Sequence, residues 1–257
     1  VGRGKGAPTS SSVSFSMTTG TGTDRLMLVG VSWNCLTTDR TVSSATFTPS
    51  GGSALPLTLV ITQQYTWPTN NYRYTAIYSL LAPPSGVAGT VAIPFSDAVA
   101  NGIVAGAANF AGVNQTNPLG TPVGAVGTGT NSRPSVNLTG LNGNEVVFDS
   151  VFMGASATTQ SITADSPQST LWSINGWTSG SSFNTLGAAS YKEVTDTSTT
   201  MSWTNTGYTS TTTRWAIAAV PINPSTAAVD HTVTFDANGG TGTMAPQVAN
   251  VPTALTA

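Results

Sequence analysis

The side chains that could do chemistry are few and poorly spaced for it. His231 is the sole histidine and lies near the C-terminal end. A Ser–His–Asp relay or a Cys–His pair therefore cannot be assembled within residues 1–224, because each needs an imidazole to take the proton. No HExxH, Walker or dinucleotide-binding loop occurs, and Gly127-Thr128-Gly129 reads as part of a Gly/Thr loop, not a phosphate cradle. Carboxylates remain: Asp24, Asp39, Asp97, Glu145, Asp149, Asp165, Glu193 and Asp196. Glycoside hydrolysis needs two of them about 5–10 Å apart. Glu145 and Asp149 share one strand face, but at roughly 3.3 Å per residue they stand too far apart for the retaining geometry. Glu193 can approach either only from a neighbouring strand. Turn and edge carboxylates are the plainer reading, and no enzyme is expected.

The other reactive groups give equally plain readings. No cofactor is expected. A structural calcium, which needs six to eight oxygens, is left open at Asp24, Asp39 and Asp97, although no EF-hand loop is present. Lys192 and Glu193 sit in an otherwise charge-poor strand, the setting of an intramolecular isopeptide bond; an edge lysine that discourages aggregation explains them as well. Cys35 is the single cysteine, so no internal disulfide can form, and within its apolar run it reads as a small buried hydrophobe. Aromatic residues offer a binding surface instead. Tyr65, Trp67, Tyr72 and Tyr74 cluster in one stretch, and Trp172 and Trp177 flank Ser173-Ile174-Asn175-Gly176. Tyr65, Trp67, Tyr72, Trp172 and Trp177 are the candidate glycan-stacking rings; Trp33, Trp203 and Trp215 lie on expected strands and read as core.

These side chains must be positioned by strands. No stretch keeps a helical period. Short β-type runs recur between Gly, Pro, Asn and Asp clusters, near residues 12–17, 25–34, 42–48, 57–63, 72–81, 89–95, 103–110, 135–138, 145–153, 186–194, 200–204 and 214–222. Residues 26–31 and 216–220 are apolar on both faces and read as central strands, covered on both sides or packed on a neighbouring subunit. The expected fold is all-β: a two-sheet, antiparallel, jelly-roll-like β-sandwich over residues 1–224. The Pro221-Ile222-Asn223-Pro224 stretch then reads as a domain end, with a linker and strand-forming tail over residues 225–257.

Composition narrows the setting. Of the 257 residues, 39% are hydrophobic, enough for a sizeable core, but only 7% are charged, against about 25% in ordinary soluble proteins. The net charge of −2 and the scattered arginines exclude a phosphate-neutralising patch, so no nucleic-acid partner is expected. No run of about 18 apolar residues exists, and no membrane insertion by a helix is expected. Abundant Thr, Ser, Asn and Gly with few lysines point to a prokaryotic cell surface or extracellular location.

The tail carries a family resemblance. Residues 231–246, His-Thr-Val-Thr-Phe-Asp-Ala-Asn-Gly-Gly-Thr-Gly-Thr-Met-Ala-Pro, resemble the opening of a Listeria–Bacteroides repeat of the internalin B type. That resemblance implies a small β-grasp-like module of bacterial surface proteins; the second half of the repeat is absent from residues 231–257. Residues 23–32 and 214–222 resemble segments of β-sandwich modules in large prokaryotic extracellular proteins. Half a repeat cannot bury its own core, so its strand residues Val233, Phe235, Val248 and Val251 are candidates for addition to another sheet. The expected function is a non-catalytic structural or adhesive surface protein, with self-assembly into filaments by strand addition between copies. The expected partners are copies of itself or neighbouring surface-protein domains. The alternative is a carbohydrate-binding module with a glycan as partner.

Overall fold

The computed structural model describes residues 1–66, 71–130, 132–176, 184–208, 212–225, 231–233, 241–242, 245 and 247–249. Residues 1–224 form one compact unit and residues 225–257 a second. Among the described residues every regular element is a strand, and no sheet closes into a barrel.

The first unit holds two successive β-sandwiches. The N-terminal one comprises β1 (Gly2–Gly6), β2 (Ser10–Thr18), β3 (Leu26–Leu36), β4 (Thr46–Pro49), β5 (Leu55–Pro56), β6 (Thr58–Thr66), β7 (Tyr72–Leu81), β8 (Ala88–Val99) and β9 (Ile103–Phe110). The C-terminal one comprises β10 (Val123–Thr130), β11 (Ser135–Thr139), β12 (Val146–Ala155), β13 (Ser161–Ala164), β14 (Ser169–Asn175), β15 (Asn184–Glu193), β16 (Ser198–Thr206) and β17 (Thr212–Ile222). The antiparallel sandwich expected from the sequence is thus present, and the chain builds it twice. The Gly/Thr stretch read as a loop around Gly127 is an edge strand, β10, paired with β17.

The two sandwiches share one wiring. The large sheet runs β1-β9-β3-β7-β6 in the first and β10-β17-β12-β15-β14 in the second; the small sheets run β2-β8-β4-β5 and β11-β16-β13. Registers match as well. Leu26 lies between Leu81 and Phe110, and Val146 lies between Glu193 and Ile222. Successive residues along β3 and β12 then correspond. Even the irregularity is repeated: β6 bulges between Leu59 and Ile61, and β14 bulges between Thr170 and Trp172.

Alternation explains the outer sheets. Val13, Phe15 and Met17 of β2 point inward while the intervening serines face out, the pattern of a sheet wetted on one side. Met201 and Trp203 do the same on β16. The large sheets read differently because both of their faces are covered. Met27, Val29, Val31 and Trp33 fill the N-terminal sandwich with Phe47, Val91 and Ile93. Val147, Val151 and Met153 fill the C-terminal one with Met201, Trp203 and Ile217. The opposite faces of the two large sheets meet each other through Leu26, Leu28, Ile77, Phe148, Trp172, Ala218 and Val220. The doubly apolar strands are therefore covered within the chain itself, and the layers run small sheet, large sheet, large sheet, small sheet.

The middle seam has approximate two-fold symmetry. β15 packs on β3 and β9, and reciprocally β7 packs on β12 and β17. Gly30 and Ser150 occupy corresponding positions and touch: a Cβ on Gly30 would stand 2.6 Å from Ser150 Oγ. A short polar ladder crosses the seam, with Ser32 Oγ donating to the Val151 carbonyl at 2.8 Å and Thr75 Oγ1 donating to Ser150 Oγ at 2.8 Å. Such fully paired groups keep buried hydroxyls from costing stability and fix the register of the two sheets.

In the second unit, β18 (His231–Val233) and β19 (Gln247–Ala249) pair antiparallel, with Thr232 opposite Val248 and Val233 opposite Gln247.

Candidate functional site

The carboxylates read as a catalytic option are each held by separate partners. Glu145 precedes β12 at 3% exposure, and the Asn142-Gly143-Asn144 loop folds over it. It accepts from the Asn142 amide at 2.9 Å, Asn142 Nδ2 at 2.8 Å, the Gly143 amide at 3.0 Å and the Asn144 amide at 3.2 Å. Burial alone would raise its pKa, but these donors outweigh it and hold the carboxyl below its ordinary range. At the corresponding place before β3, Arg25 does the inverse job: its guanidinium donates to the carbonyls of Pro83 at 2.9 Å and Gly22 at 2.8 Å. Both residues tie a loop to the head of a central strand, one with a positive group and one with a negative one.

Asp149 is fully buried inside the C-terminal sandwich. Its Oδ1 accepts from the Ser190 amide at 2.7 Å and Ser190 Oγ at 2.9 Å, and its Oδ2 accepts from Trp203 Nε1 at 2.7 Å. Burial pushes its pKa up to about 7, against the pull of those three donors. Glu193 is exposed at the end of β15, opposite Val146. Asp165 on the far sheet accepts from the Thr204 hydroxyl and from Ser202 Oγ at 2.7 Å and is paired with Arg133 at 2.9 Å, which together keep its pKa low despite partial burial. Asp39 accepts from the Tyr74 hydroxyl at 2.7 Å, and Asp97 pairs with Arg40 at 3.0 Å. Among the described residues no three His, Cys, Asp or Glu side chains converge on one point. Cys35, 2% exposed, has its thiol pushed up to about 11 by burial, which keeps it protonated and inert. Lys192 Nζ reaches the Thr200 carbonyl at 3.5 Å on the exposed surface.

The aromatic candidates separate by burial. Tyr65 is 6% exposed and packs with Phe152 and Ala216; Trp172 is 2% exposed and lies in the seam between the large sheets. Neither ring presents a face to solvent. Trp172 lies on the edge strand β14, an element that the sequence reading did not expect. Tyr72 is half-buried at the start of β7. Trp67, Trp177, Phe235 and Val251 lie outside the described residues; Val233 and Val248 sit on β18 and β19. Trp33, Trp203 and Trp215 are buried in the cores, as expected.

The concave surfaces lie elsewhere. A polar groove of about 830 Å³ opens at one end of the C-terminal sandwich, lined by Asn137, Tyr191, Lys192, Glu193, Asp196 and Thr200 among others. Sequence reasoning marked Lys192 and Glu193 but did not see that β11, β15 and β16 gather them with Asn137 and Thr200. A second cleft of about 470 Å³ opens beside the seam, walled by Phe110, Val146, Leu171 and Tyr191.

No family model matches the chain, and no curated protein matches it. A solved structure titled "Biofilm associated protein - BSP domain" is similar at 10% identity and a TM-score of 0.25, over 87% of this chain and 49% of that one, so this chain spans about half of that structure's length.

Proposed function

We propose that this chain is a non-catalytic structural or adhesive module of a prokaryotic surface protein, assembling with copies of itself or with neighbouring modules by strand addition. The observation that supports it best is the fusion of two like sandwiches through a continuous apolar seam, under a surface that is nearly free of charge, with 7% charged residues in the whole chain. Two sandwiches sharing a core resist being pulled apart, and an uncharged exterior meets little charge desolvation when modules stack. Several of the charges tie loops and strands together: Arg25, Glu145, Arg40 with Asp97, and Arg133 with Asp165. The tail adds a two-stranded hairpin, an element that is marginal alone and gains stability from a further sheet edge. The resemblance of residues 231–246 to a Listeria–Bacteroides repeat supports the same setting. Negative-stain electron microscopy and light scattering of the full chain beside residues 1–224 test this reading. Filaments or oligomers that disappear on truncation are expected; monomers in both samples at high concentration would sink it.

A second reading, glycan binding, is favoured by the polar groove at Asn137, Lys192 and Asp196, which offers amide, ammonium and carboxylate partners for sugar hydroxyls. On a glycan array, Asn137→Ala and Asp196→Ala should each remove at least tenfold of any binding; binding unchanged by both would place the sugar elsewhere.

A further inference from the structure

The C-terminal sandwich holds a nucleophile, a base and an electrophile side by side in its interior. Asp149 and Ser190 stand opposite one another on β12 and β15, and neither is exposed to solvent. Ser190 Oγ donates to Asp149 Oδ1 at 2.9 Å. Gln168, the residue before β14, reaches the same hydroxyl, its Nε2 donating to Ser190 Oγ at 2.9 Å. Gln168 Oε1 accepts from the Ser202 amide on β16 at 2.6 Å. That bond fixes the carboxamide with its nitrogen toward the serine. Four separate pieces of the sandwich thus converge on one carboxamide.

The fold does not require this set. The strand registers make Val29 the counterpart of Asp149, Tyr78 of Ser190 and Leu57 of Gln168. All three counterparts lie in the hydrophobic core of the N-terminal sandwich. One sandwich closes this corner by apolar packing. The other places a carboxylate, a hydroxyl and a carboxamide there, groups that are costly to remove from water unless each finds a partner.

Each group has the surroundings its part in a reaction needs. Burial raises the Asp149 pKa to about 7, so its carboxylate is a base matched to neutral solution. A serine hydroxyl is a weak nucleophile until a base within hydrogen-bond reach takes its proton. The Ser202 N–H points at the oxygen on which negative charge develops when the carboxamide carbon is attacked. That carbon, Gln168 Cδ, is bonded to the nitrogen already touching the serine oxygen, so the reactants are held together in advance.

We propose that Ser190 and Gln168 condense into an intramolecular ester. Ser190 Oγ attacks Gln168 Cδ and gives its proton to Asp149, while the Ser202 N–H holds the tetrahedral oxyanion. Asp149 then delivers the proton to Nε2, the Cδ–Nε2 bond breaks and ammonia leaves. One Oγ–Cδ bond replaces one Cδ–Nε2 bond, and no oxidant or reductant takes part. Gln168 is only half-buried, which gives the ammonia a way out. Asp149 stays buried in the product and still accepts from the Ser190 amide and Trp203 Nε1. The ester ties the head of edge strand β14 to the interior strand β15, in surroundings that keep water from the new bond. The inference concerns the C-terminal sandwich alone and does not depend on the assembly reading.

Intact-mass spectrometry of the purified full chain, after storage in mildly alkaline buffer, reads the reaction. A mass lower by one ammonia than the sequence requires is expected. Chymotrypsin acting on the denatured chain cuts after Trp172 and Trp177, between the two residues. The Gln168 and Ser190 fragments should nevertheless stay joined, and should separate in hydroxylamine, which cleaves an ester and leaves an amide link intact. Ser190→Ala should restore the full mass. Asp149→Asn should slow the loss by about a hundredfold or more, the scale of a general base. The fragment map of the parent chain decides the matter even if a variant does not fold. A parent chain of full mass would overturn the proposal. So would an ammonia loss that persists in Ser190→Ala or that maps to a cyclised asparagine.

Discussion

Trp172→Ala is expected to destabilise the first unit by about 3–5 kcal/mol, the range for removing a large buried aromatic without collapse of the site, and to lower its melting temperature by roughly 10 °C at the size of this unit. The reason is where the ring sits. It comes from the bulge of β14 and reaches across the seam onto the backbone of the other sandwich. A Cβ on Gly106 would stand 2.6 Å from the ring's Cδ2 and Cε2, and one on Gly30 would stand 3.1 Å from Cζ2. On its own side it meets Phe148 at 6.1 Å between centroids. Small residues on β3 and β9, Gly30 and Gly106, thus form the floor for one large residue on β14. The effect should be specific to the seam. Each sandwich keeps its own core, so calorimetry of Trp172→Ala should resolve two transitions where the parent shows one. Gly106→Val attacks the same contact from the other side and should behave alike. A melting temperature within a degree or two of the parent for both variants would mean that the seam contributes little and that the sandwiches fold as independent beads.

That seam also marks how far the sequence could be read. Alternation in Ser12–Met17 and in Met201–Trp203 shows outer strands because one face is wet and the other dry. The runs 26–31 and 216–220 show that both faces are covered, which is a local property, but not what covers them, which is not. The duplication hid for a related reason. Corresponding positions keep their place in the fold while changing their chemistry: Val29 becomes Asp149, Gly30 becomes Ser150 and Arg25 becomes Glu145. Topology is preserved by hydrogen-bond register, which tolerates such exchanges, so little letter-by-letter likeness remains. An aligned look at Leu26-Met27-Leu28-Val29-Gly30-Val31 and Val146-Val147-Phe148-Asp149-Ser150-Val151 carries the surviving signal. The edge strand β1 has no β-branched residue and β10 is interrupted by Gly124, Gly127 and Gly129, so both owe their conformation to pairing with β9 and β17. Both clefts are built from several elements far apart in sequence, and no local motif announces them.

Asp149 carries the second large prediction. Its folded pKa stands near 7 because burial disfavours the charged form, while its ordinary value is 3.8. Between those values the folded chain holds a proton that the unfolded chain has lost. The contribution of this group is therefore complete below about pH 4 and is lost as pH rises through 7, a change of several kcal/mol at about 1.4 kcal/mol per pKa unit. Glu145 and Asp165 act in the opposite sense: their pKa values are lowered by their donors, so their contributions are present above the ordinary carboxylate range and are lost as pH falls through it. Urea unfolding across pH 3–9 should accordingly give a maximum in weakly acidic solution, with a decline toward pH 8. Asp149→Asn removes the titrating proton and should flatten the decline on the alkaline side while leaving the acid limb in place. Asp149→Ala should cost about 2–5 kcal/mol at every pH, because Trp203 Nε1, the Ser190 amide and Ser190 Oγ are left buried without an acceptor. The N-terminal sandwich carries Val29 at the corresponding position, which shows that the fold itself does not require a carboxylate there. Asp149→Val combined with Trp203→Phe, which removes the indole donor as well, should therefore recover part of the loss and share the flattened alkaline limb. If wild-type stability is flat from pH 4 to 8, or if Asp149→Asn retains the same decline, the carboxyl is ionised in the folded state and its three donors, not its burial, set its charge.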